Sequence, residues 1–196
     1  MQRARTIAII DGHPDSNPDR LCHALADAYE AGAKSGGHSA EILRVSTHDF
    51  PLLRTQADYA GDPPDGLHDA VQTITTADHL VLIYPLWLGT LPDLTKGFLE
   101  QVFHQGIAFQ TTDGSKWPKG RLQGKSARVI VTMGMPALVY RFWFGAHSLK
   151  SLERNILGFI GYKPVRDTVF GLVDQVGSNK RASWLAHVKA LGRKGV

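Results

Sequence analysis

Apolar positions along the chain follow two alternating rhythms. The runs Thr6–Asp11, Leu80–Ile83 and Ser126–Thr132 are almost continuously apolar, as strands are when a parallel sheet buries both of their faces. Ser39–Val45 alternates polar and apolar residues and predicts a strand nearer the sheet edge, and Pro164–Val173 supplies a fifth. Between these runs the apolar residues recur at helical spacing. One set is Leu21, Leu25, Ala28 and Tyr29, in a helix that Gly36-Gly37 ends; a second is Leu67, Val71 and Ile74 within Asp65–Ala77. Leu94, Phe98, Leu99 and Val102 form a third, followed by Leu149, Leu152, Ile156 and Leu157 within His147–Phe159, and Trp184, Leu185 and Val188 within Ser178–Leu191. Strands alternating with helices predict an α/β three-layer sandwich, one domain over residues 1–196, with a five-stranded parallel sheet. Ser46–Asp65 and Gly106–Gln123 read as irregular, the second carrying Phe109 and Trp117.

With strand order 2-1-3-4-5, the loops after strands one, three and four converge at the switch point, where open α/β sheets bind ligands. The first loop, Gly12–Arg20, offers Ser16, Asn17 and the amides of a helix N-terminus, a ready phosphate site. The second, Tyr84-Pro85-Leu86-Trp87-Leu88-Gly89-Thr90-Leu91-Pro92, is apolar and braced by prolines, which suits a flat ring. The third runs from Thr132 through Met133, Gly134 and Met135 to Tyr140 and supplies backbone amides. Phosphate at one end and an aromatic ring at the other describe a flavin nucleotide. Phosphate-loop, dinucleotide-fingerprint, nucleophile-elbow and zinc-ligand patterns are all missing from the sequence, and no metal is expected.

Charge changes this picture little. The net charge is +4, but 22 basic residues are scattered among 18 acidic ones, so nucleic acid is not an expected partner. One cysteine, Cys22, reads as a small core residue in a reducing compartment. With no signal-peptide layout at the start and no apolar run long enough to span a bilayer, the expected location is the cytoplasm.

Gly12-His13-Pro14, the Tyr84–Pro92 loop with Lys96-Gly97-Phe98-Leu99-Glu100-Gln101-Val102-Phe103, and Thr132-Met133-Gly134 closely resemble the flavodoxin-like NAD(P)H:quinone oxidoreductases. That group includes the DT-diaphorase, modulator-of-drug-activity and potassium-efflux ancillary proteins. The resemblance runs from Ile7 to about Gly171 and implies a flavodoxin-like fold, FAD or FMN as cofactor, and NAD(P)H as co-substrate. It also implies ping-pong two-electron hydride transfer to a quinone or similar acceptor. By position, Pro85, Leu86, Trp87, Leu88 and Gly89 would line the flavin ring, and Thr132, Met133, Gly134 and Met135 would meet its pyrimidine edge. His13, Ser16, Arg20 and Leu21 would surround the phosphate, while Tyr140 and His147 would stand near the ring as catalytic donors. The family's T-x-G-G is here Thr132-Met133-Gly134-Met135, followed by Pro136.

His13 alternatively caps its own loop or bonds Asp11, and Tyr140 and His147 alternatively belong to a subunit contact. The aromatic segment Tyr140–Phe144 and the Gly106–Trp117 region predict a two-fold homodimer. Three other functional readings share this sequence: a non-catalytic electron carrier, a regulatory subunit of a transporter, and an azo- or nitroreductase.

Overall fold

The computed structural model describes residues 3–110 and 118–196; Trp117 lies outside them. Five strands form one parallel sheet: β1 (Thr6–Asp11), β2 (Ser39–Arg44), β3 (His79–Pro85), β4 (Ser126–Thr132) and β5 (Val165–Phe170). Their order across the sheet is 2-1-3-4-5, as the sequence predicts. A two-residue antiparallel ladder, Phe109–Gln110 with Lys119–Gly120, stands apart from it.

Alternate residues of the central strands feed two cores. Ala8 and Ile10 point to one face, where α3 (His68–Thr76), α4 (Asp93–Val102) and α5 (His147–Ser151) contribute Ile74, Phe98 and Leu149. Ile7 and Ile9 point to the other, covered by α1 (Leu21–Ser35) and α6 (Ser178–Lys194) through Leu25, Tyr29, Trp184 and Val188. Leu21 and Ala28 are only half-buried on α1, whose inward face turns instead on Cys22, Leu25, Ala26, Tyr29 and Ala33. Glycine lets α1 and α6 approach closely: a Cβ on Gly32 would lie 2.0 Å from the Lys189 carbonyl oxygen, and one on Gly192 would lie 2.1 Å from that of Tyr29.

Three elements differ from the sequence pattern. The Ser46–Asp65 segment contains a short helix, α2 (Gln56–Ala60), started by a reciprocal Thr55–Asp58 cap. Its residues are exposed, so no apolar period announces it. The helix predicted over His147–Phe159 begins as α5 and widens into a π-type turn through Leu152–Gly158. The strand predicted over Pro164–Val173 is confined to Val165–Phe170, because only that span pairs with β4. Among the described residues no helix is long and apolar enough to cross a membrane.

Candidate functional site

Strand register sets the site. Asp11 lies opposite Ile83, Pro85 opposite Thr132, and Thr132 opposite Phe170, so three loops leave the sheet at one level. They enclose a cleft of about 620 Å³. Gly12 is pinned there by its N–H to the Ile83 carbonyl at 2.7 Å and by the Thr95 hydroxyl donating to its own carbonyl at 2.5 Å. A Cβ at this point would come within 2.6 Å of Thr95 Cγ2, which is why the first loop begins on glycine.

Beneath the loop lies a buried charge cluster. Asp11 Oδ2 faces His23 Nδ1 and accepts from Arg44 Nη1, each at 2.6 Å, and Arg44 also reaches Asp27. His23 Nε2 meets the Asp15 carbonyl at 2.9 Å. Both ring nitrogens of His23 thus face oxygen atoms, which holds the ring between Asp11 and Asp15. His13 is held differently. Its Nδ1 accepts from the Asp15 N–H at 3.1 Å, so a neutral ring holds its proton on Nε2. Burial, followed by the neighbouring His23, lowers the His13 pKa and favours that neutral form. The His13 backbone N–H also donates to Asp11 Oδ1 at 3.4 Å, so the residue does hold its loop while still lining the cleft.

The loop closes through Asx turns: Asp15 Oδ1 accepts from the Asn17 N–H and Asn17 Oδ1 from the Asp19 N–H. Arg20 Nε donates to Asp15 Oδ2 at 2.7 Å, and the Asn17 and Arg20 bonds lower the Asp15 pKa. Helix α1 then starts without a side-chain cap and without an acid in its first turn. The amides of Leu21 and Cys22 have no acceptor among the described residues. The positive end of α1 therefore faces the cleft uncompensated.

On the opposite wall, Trp87 and Thr90 exchange backbone hydrogen bonds of 2.9 Å across Leu88 and Gly89, whose φ angles are 44° and 83°. Positive φ at both central residues defines a type I′ turn, which holds the half-exposed Trp87 edge-on to His13 at 5.8 Å. Leu86 N–H is anchored to the Thr132 carbonyl at 2.7 Å. At the base, Cys22 Sγ lies 3.4 Å from Thr132 Oγ1, and burial pushes the thiol up to about 12, far from a reactive thiolate. The third loop leaves the amides of Gly134 and Met135 without acceptors among the described residues, since its Met133 N–H and Met135 carbonyl are tied to Phe170 and Leu172.

Of the residues expected from the sequence, the cleft brings together His13, Arg20, Leu21, Pro85, Leu86, Trp87, Thr132, Met133 and Gly134. Ser16 lies instead in a separate hollow with His23, Asp27 and Arg44. Asn17 is exposed and engaged within the loop, Leu88 is fully exposed at the turn with Gly89, and Met135 packs against the core. Tyr140 is buried, its hydroxyl bonded to Ser148 Oγ at 2.9 Å and accepting the Leu149 N–H at 3.2 Å. That bond ties Tyr140 to the start of α5. His147 is exposed and lies over Gly145. Sequence reasoning missed Asp15, Asp19, Val173, Asp174 and Arg181, all of which line the cleft. Arg181 had a legible signal: it is a cation in the first turn of a helix, where the dipole disfavours it unless an anion is near.

A doubly wound parallel sheet, with bare amides, arginines and a braced tryptophan lining its switch-point cleft, defines a nucleotide-binding α/β protein. The chain belongs to the flavodoxin-like fold family, which it matches over residues 5–193. It is 32% identical to the FMN-dependent NADH:quinone oxidoreductase 3 of Bacillus cereus, with 88% of each chain covered. It is 26% identical to an uncharacterized NAD(P)H oxidoreductase of Haemophilus influenzae, over 90% of this chain and 89% of that one. Among solved structures, the NAD(P)H:quinone oxidoreductase of Methanothermobacter marburgensis shares the fold with a TM-score of 0.82, at 22% identity, covering 97% of this chain and 98% of the other.

Proposed function

We propose that this protein is a flavin-dependent NAD(P)H:quinone oxidoreductase, cytoplasmic and dimeric, with FMN as its flavin. The cleft carries this reading, because it offers anion-binding groups and an aromatic wall within one cavity. FMN is favoured over FAD by the names of the Bacillus cereus relatives. When bound, the flavin supplies a ring that takes hydride from NAD(P)H and passes it to a quinone.

The residues divide the remaining work. Unpaired amides at Leu21 and Cys22, with His13 Nε2–H and Arg20, would hold the phosphate, and His23 and Arg44 bond Asp11 below it. Trp87, Pro85 and Leu86 orient the ring and exclude water from it. The amides of Gly134 and Met135 are preorganised donors for negative charge at the ring's edge. Tyr140 acts as a positioning residue for the start of α5, and His147, standing free on the surface, is the candidate proton donor to the acceptor.

The test is direct. The purified protein is expected to bind FMN with a shifted visible spectrum, to release a flavin of FMN mass on denaturation, and to oxidise NADH or NADPH in the presence of a benzoquinone. Trp87→Ala should weaken FMN binding about tenfold, the loss of on the order of 1.4 kcal/mol of ring stacking. Failure of excess FMN and FAD to bind would overturn the reading. Flavin binding without turnover would favour an electron carrier or transporter subunit.

A further inference from the structure

The amino ends of the same strands form a second concavity, at the opposite edge of the sheet from the flavin cleft. It holds about 320 Å³ and is walled by Arg3, Arg5, Lys163 and Arg166, with Asp78 as its one acidic side chain. These cations are up to 163 residues apart in sequence, so no local run reveals them. None of the four forms an ion pair with an acidic side chain among the described residues. Asp78, whose Oδ2 accepts the Thr6 N–H at 2.9 Å, sets one acidic side chain against these four cations. Arg128 adds a fourth guanidinium behind the wall, bonded to a terminal oxygen of Val196 at 2.8 Å and to Thr168 Oγ1 at 2.9 Å.

His79 also lines this concavity. The side chain is 2% exposed, its Nδ1 lies 2.8 Å from Ser126 Oγ, and its Nε2 has no hydrogen-bond partner. Burial, with Arg5 and Arg128 nearby, lowers its pKa to about 3, so the ring is neutral. When the Ser126 hydroxyl donates to Nδ1, Nε2 carries an N–H that nothing in the protein accepts. A buried donor left without an acceptor is unfavourable. Arg5 Nη1 is engaged by the Gly195 carbonyl at 2.8 Å and Arg128 by Val196 and Thr168, so Arg3, Lys163 and Arg166, with the unpartnered ring nitrogen of His79, are the groups that leave the concavity short of anionic oxygen.

We propose that this concavity binds a small, soluble phosphate-bearing anion. Phosphate suits it better than a carboxylate or a halide, because three arginines, Arg3, Arg5 and Arg166, line it and a guanidinium fork pairs best with the several oxygens of a phosphate. The volume admits a phosphate or a compact phosphomonoester rather than a polymer. Nothing in the site depends on the flavin cleft, which opens at the other ends of the strands.

The test titrates inorganic phosphate into the full chain at saturating FMN, with potassium chloride replaced to keep ionic strength constant, and reads heat of binding and melting temperature. Saturable binding is expected that FMN does not displace. The double substitution Lys163→Ala with Arg166→Ala, both on the surface, should weaken it at least tenfold while leaving FMN affinity unchanged. His79→Asn provides a second variant, which retains a donor and should keep binding within a few-fold. A response to phosphate no larger than the response to chloride, or equal binding by the double variant, overturns the proposal. Co-sedimentation with phosphatidylglycerol vesicles without a response to free phosphate also overturns it, since the phosphate would then belong to a lipid surface. A protein that fails to bind FMN yet still binds phosphate in a Lys163- and Arg166-dependent way would sink the flavin reading and leave this one standing.

Discussion

Leu88 sits where bulky side chains rarely do. Its φ of 44° is left-handed, the following Gly89 is at 83°, and the leucine side chain is fully exposed. Holding an L-residue there is unfavourable by about 1–2 kcal/mol, and asparagine is the residue this turn prefers. Leu88→Asn should therefore raise the stability of the chain by about 1 kcal/mol in a denaturant titration. It should also lower kcat/KM toward an apolar quinone, because the exposed leucine stands beside Trp87 at the mouth of the cleft. A stabilised variant with unchanged kcat/KM would leave the leucine without a catalytic reason. At this scale the sequence was legible where local chemistry is self-contained. The prolines around Trp87 announce a rigid wall, and Gly12-His13-Pro14 announces a tight exit from β1. The Asp11–His23–Arg44 cluster was not legible, because its members come from three elements and meet only once β1, α1 and β2 have packed. Ser16 shows the limit from the other side: its residue type suits phosphate, but the Asx turns rotate it into the neighbouring hollow.

The pairing of α1 with α6 rests on missing side chains. Gly32, Gly36 and Gly192 each leave room for a carbonyl of the facing helix, and an added Cβ at any of them would fall within 2.2 Å of an oxygen. Gly192→Ala should thus destabilise the protein by roughly 1–3 kcal/mol as overpacking, measured by denaturant midpoint, even though alanine is the better helix former. An unchanged or raised midpoint would mean that the helices slide apart without loss. Periodicity read β1 and β4 to their last residues, since burial on both faces leaves no ambiguity about where they run. It missed α2, which has no buried face, and it could not see the π-type turn after α5, because Leu149, Leu152 and Ile156 fall at spacings that an ordinary helix shares.

At the scale of the whole molecule, the Leu138–Phe144 segment leaves apolar side chains uncovered. Phe142 and Trp143 are 82% and 84% exposed, and Leu138, Val139 and Phe144 extend the patch. So many aromatic residues in water favour burial against a second copy. Size-exclusion chromatography with light scattering should find a dimer at micromolar concentration, and Phe142→Asp with Trp143→Asp should convert it to a monomer that keeps its fold by circular dichroism. A wild-type monomer at that concentration would contradict the dimer. The two cores described above meet the switch-point cleft only at its floor, through Cys22 and Met133, and its remaining walls are loops and the ends of strands and helices. Stripping and recharging with FMN is therefore expected to leave the chain folded throughout, and loss of the circular-dichroism signal once the flavin is removed would contradict this.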